Sequence, residues 1–167
     1  MPTWALAIMY WLHLLAAVVW VGGLAVMALL VWPALRARLG VGSAPVFADL
    51  QRRFIPWAWL SLAVLVGTGM FQMTADSNYT GLLQIDSPWA TAMLLKHLAV
   101  AGMVVIGVAL QVWIQPALAR AALLADRGKP LPAAETDSLR RRESVLMWLN
   151  LICAAAVLLC TAIATAL

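Results

Sequence analysis

Four apolar stretches dominate this chain, and each is long enough to cross about 30 Å of hydrocarbon as a helix. They run over about 4–35, 56–75, 88–124 and 144–167. Inside a bilayer no water is available for backbone N–H and C=O groups, so a spanning segment must close its hydrogen bonds within itself or in a barrel. Stretches of this length point to helices. Charged residues make up only 11% of the chain against 65% hydrophobic, whereas a soluble domain averages about 25% charged. The reading is an all-α, integral membrane, antiparallel four-helix bundle forming a single transmembrane domain over 1–167. Pro56 sits where a helix start would place it.

The loops orient the bundle. Arg36, Arg38, Arg52 and Arg53 flank the first connection. Arg120, Arg127, Lys129, Arg140, Arg141 and Arg142 flank the third. The second, 76–87, holds two acids and no base. Positive loops stay cytoplasmic, so both termini are expected outside. The same clustering makes the net charge of +4 a topology signal rather than a nucleic-acid patch. A bacterial inner (plasma) membrane is the expected setting. The first apolar run is too long for a signal h-region and lacks a basic start. Trp4, Trp11, Trp57, Trp59, Trp89 and Trp148 include several placed as an interfacial belt would be.

The chain has only two histidines, His13 and His97. His13 stands nine residues after Trp4 and His97 eight after Trp89. Spans one and three run in the same direction, so both rings lie roughly 12–14 Å below the outer surface. An imidazole in lipid is costly without a partner, and a matched pair suggests one shared ligand. Bis-histidine haem b is the first reading, with His13 and His97 on the iron and electron transfer as the task. Its redox partners would be quinol or a periplasmic donor, and it would act as an electron carrier or membrane oxidoreductase. Gly67 and Gly69 would leave a slot for the ring and Trp20 would pack on it. Lys96 would snorkel to a propionate or serve as the second ligand.

Copper is the alternative. Met9 precedes His13 by four residues and Met93 precedes His97 by four, so each pair shares a helix face. Thioether and imidazole ligands suit Cu(I). A third reading is a structural subunit whose histidines are only hydrogen-bonded. Cys153 and Cys160 are seven apart on one helix, about 10 Å, too far for a mutual disulfide. No CxxCH occurs, which excludes covalent haem attachment. The acids lie in loops or at span ends, so no hydrolytic constellation is visible.

The stretch His13-Leu14-Leu15-Ala16-Ala17-Val18-Val19-Trp20-Val21-Gly22-Gly23-Leu24 resembles the first span of the copper-resistance-protein-D-like (CopD) membrane family. Arg52-Arg53-Phe54-Ile55-Pro56-Trp57 and Lys96 are similar to that family too. The resemblance implies a four-helix module with a role in copper handling. His13, Trp20, Gly23, Leu24 and Lys96 also resemble the HemJ-type protoporphyrinogen oxidases, which carry haem b. This chain departs from the latter by continuing span one from Gly23 to Pro33 and by placing His97 beside the lysine.

Overall fold

The computed structural model describes residues 2–39, 43–76, 78–79, 81 and 86–167. The expected 76–87 connector therefore lies partly outside the described residues. Four long helices follow one another: α1 (Thr3–Leu39), α2 (Ser43–Ala75), α3 (Pro88–Asp126) and α4 (Ala133–Ala166). All four are long and apolar enough to cross a membrane, and the chain is a multi-pass membrane protein.

Local chemistry explains where the helices begin, end and loosen. Ser87 caps α3, its Oγ accepting from Ala90 N–H at 3.1 Å, and Pro88 supplies a first residue that needs no donor. Past α3, Gly128 adopts φ +70° and Lys129 N–H returns to the Leu124 carbonyl at 2.9 Å, a glycine-dependent helix end. Two π-helical turns, Met27–Val31 and Leu110–Ile114, each precede a proline, Pro33 or Pro116. A proline cannot donate to the carbonyl four residues back and its ring presses on it. Those carbonyls belong to Leu29 and Val112, one inside each π turn, where the wider ladder takes up the misfit. A third π turn, Val18–Gly22, has no proline after it.

The expected helix start at Pro56 is corrected: α2 begins at Ser43 and carries Pro56 inside. The proline removes one ladder bond, to the carbonyl of Arg52, among charged residues at the arginine end of the bundle. Water and polar neighbours can satisfy that carbonyl there. Likewise α4 starts at Ala133 rather than near 144, extending past the hydrocarbon through Arg140, Arg141 and Arg142.

The helices pack as two pairs, α1 with α2 and α3 with α4. At the arginine end all four meet in one cluster of Trp32, Phe47, Leu110, Ile114 and Met147. The Trp32 and Phe47 rings lie 4.7 Å apart and Arg36 stands over Trp32 at 5.8 Å, within cation–π range. Buried Glu143 sits beside this cluster, within electrostatic reach of Arg140 and Arg36. A second cluster, Met103, Ala154 and Val157, joins α3 to α4 nearer mid-bundle, with Trp20 and Leu24 of α1 against it. Large apolar side chains such as Val18, Leu30, Val105 and Ile152 are more than 60% exposed, as a lipid-facing surface requires. Trp4, Trp11, Trp57 and Trp148 are also exposed, whereas Trp89 is buried.

Candidate functional site

His13 is held against α2. Its Nδ1 lies 2.8 Å from Thr68 Oγ1. The Thr68 hydroxyl donates to the Val64 carbonyl at 2.6 Å. A hydroxyl has one proton, so Thr68 Oγ1 accepts from His13, and Nδ1 must carry the hydrogen. In the neutral ring Nε2 then keeps its lone pair. This is how a second-layer partner prepares a histidine for a metal: it fixes the tautomer and the ring orientation.

The sequence allows this contact through Gly69. A Cβ added there would lie 3.3 Å from His13 Cε1, whereas one added at Gly67 meets nothing within 4 Å. Of the two expected slot glycines, Gly69 borders the ring and Gly67 is exposed. One turn outward, Gln72 Nε2 donates to the Met9 carbonyl at 3.1 Å. The two bonds together tie α1 to α2 across neighbouring turns. Thr68 and Gln72, spaced by four in an apolar run, were the sequence signal for this seam.

His97 is engaged differently. Its Nδ1 donates to the carbonyl of Met93, four residues back on the same helix, at 2.6 Å, and the residue is exposed. Nε2 again keeps the lone pair, but the ring belongs to its own helix. The neighbouring residue turns inward instead. Lys96 is half-buried and lies within electrostatic reach of His13 on α1 and of Cys160 on α4. The structure therefore brings together His13, Thr68 and Gly69, holds Lys96 within electrostatic reach of His13, and engages His97 separately. Met9 and Met93 are half-buried at this end, one turn outward from His13 and His97. Among the described residues no group of three or more His, Cys, Asp or Glu side chains comes together. A set of three or more protein ligands at this level would have to draw on other donors, such as the thioethers of Met9 and Met93.

Trp20 lies elsewhere too. It lines a cavity of about 130 Å³ between the two helix pairs, toward the arginine end. Gln51, Gln111 and Asn150 share that lining. Gln111 was not anticipated, though a glutamine inside an apolar span is the signal that pointed to it.

The family described as copper resistance protein D matches this chain over residues 48–164. The match takes in Thr68, Lys96, His97 and Cys160 and stops short of α1. No curated protein and no solved structure matches the chain.

Proposed function

Since the chain belongs to the copper resistance protein D family, we propose that it handles copper across a bacterial inner membrane, with Cu(I) as its substrate. The carrying observation is the His13 ring, whose Nδ1–H is engaged by Thr68 so that Nε2 is free to bind. Met9 on the turn above adds a soft thioether, and soft donors with imidazole select Cu(I). Cys160 and Met93 supply further sulfur at the same end. The arginine-rich end faces the cytoplasm in this reading, so the ion enters from the opposite side.

Lys96 gives the site its character. An ammonium beside His13 repels a bound cation, because charge repulsion is strong where dielectric is low. Passage through a membrane requires binding strong enough to enter and weak enough to leave. Lys96 supplies the second half of that balance. A resident, tightly held copper would call for a site without it.

Bis-histidine haem b draws less support. His97 keeps Nε2 free while its Nδ1–H stays on the Met93 carbonyl, but its ring would have to turn from its exposed position to meet His13. The residue within electrostatic reach of His13 is Lys96.

The test is a Cu(I) titration of the purified protein against a chromophoric chelator, alongside an absorption spectrum. One bound Cu(I), weakened at least tenfold in His13→Ala and unaffected in His97→Ala, is the expected result. A Soret band from protein made with ample haem, lost in His13→Ala, would replace this reading with haem binding.

A further inference from the structure

We infer that the cavity between the two helix pairs binds a lipid-soluble ring with two para oxygens, the head of a quinol or quinone. This goes beyond copper handling and does not rest on it. The cavity of about 130 Å³ is close to the roughly 150 Å³ that accommodates a benzene ring in a protein interior. It is far larger than a bare metal ion requires. All four helices contribute walls, with Trp20 from α1, Trp59 from α2, Gly107 from α3 and Met147 from α4. Flat aromatic and thioether surfaces suit a flat guest.

The polar groups give the guest its chemistry. Asn150 is 7% exposed and lines the cavity, and its Oδ1 has no hydrogen-bond partner among the described residues. Gln51 also lines the cavity, from the facing helix pair, and its Oε1 is buried and unpartnered as well. Buried polar atoms are paired in nearly all native structures, and an unpaired one needs an occupant to satisfy it. A carboxamide both donates and accepts. Two of them on opposite helix pairs match a ring that bears an oxygen at each end, as hydroxyl or as carbonyl. Gln111, which accepts from Trp59 Nε1 at 3.4 Å, and Gln115 complete the polar set. Apolar walls with a few convergent polar groups describe a small-molecule site, and the bilayer around this one dissolves prenylated rings.

The experiment is equilibrium dialysis of hydroquinone against the purified full chain in detergent, kept anaerobic. Saturable binding of one equivalent is expected. Asn150→Leu should weaken it at least tenfold. The isosteric p-xylene, with methyl groups in place of hydroxyls, should not compete. Gly107→Leu places a side chain where an added Cβ meets nothing within 4 Å and removes a helix-weakening glycine. It should abolish binding while melting no lower than the parent, so the test stands even if Asn150→Leu fails to fold. Retention no greater than in detergent alone, undiminished retention in Gly107→Leu, or equal competition by p-xylene would overturn the assignment and leave a cavity that holds water or apolar solutes only.

Discussion

Thr68 decides what His13 can do. The Thr68 hydroxyl donates to Val64 and accepts from His13 Nδ1 at 2.8 Å, so the far nitrogen of the ring is the one left for a ligand. Neither residue would have this property alone. The contact exists because Gly69, the next residue, lets the ring lie close to the α2 backbone.

Removing that acceptor should loosen the ring without emptying the space. Thr68→Val keeps the shape and drops the hydroxyl. Cu(I) affinity is expected to fall about 10- to 100-fold, the usual effect of losing the partner of a ligating histidine. Thr68→Ser should retain most of it. Chelator competition on both variants checks this, with circular dichroism to show an unchanged helix content.

Lys96 should act in the opposite sense. Lys96→Met removes the ammonium within electrostatic reach of His13 and adds a thioether. Tighter Cu(I) binding is expected, together with slower copper uptake by vesicles carrying the protein. Weaker binding in Lys96→Met would show that the lysine supports the site rather than opposing a cation in it.

The two slot glycines should separate cleanly. Gly69→Val pushes branched atoms at a ring already 3.3 Å from the first added carbon, and Cu(I) binding should be lost. Gly67→Ala meets nothing within 4 Å and gains helix propensity of about 0.5–1 kcal/mol. Its melting temperature should match or exceed the parent's, with binding intact. Thermal melts and the same titration read both outcomes.

Gly23 is a packing position. A side chain there would run into the Phe54 ring, so α1 and α2 approach closely at this glycine. Gly23→Ala should destabilise by about 1–3 kcal/mol, as overpacking does. Phe54→Leu, added to it, should restore much of the loss. Denaturant or thermal unfolding of the single and double variants measures the coupling.

Parts of the site were legible in the sequence because depth along a helix is simple arithmetic. That arithmetic, from Trp4 and Trp89, paired His13 with His97, and the residue within electrostatic reach of His13 is Lys96, the neighbour of His97. Which of Lys96 and His97 faces inward was not legible. Adjacent helix positions point about 100° apart, and either rotation of α3 is consistent with its apolar composition. Met103, Ala154 and Val157 lock α3 onto α4, and that packing fixes a rotation that leaves Lys96 half-buried within electrostatic reach of His13 and His97 exposed. The role of Pro56 was misread for a related reason. A proline marks a helix start when its lost hydrogen bond cannot be tolerated, and at the arginine end of α2 it can.

The linear chain by itself determined four apolar crossings, their helical form and the end at which the arginines gather. Those follow from what hydrocarbon does to unpaired backbone groups and to charge, and need no neighbour. Tertiary structure decided which faces meet: His13 with Thr68, Lys96 within electrostatic reach of His13, His97 on its own helix, and a ring-sized space among Trp20, Gln51 and Asn150. Helices apolar on every side carry little information about rotation, so only the interlocking of particular side chains could choose it.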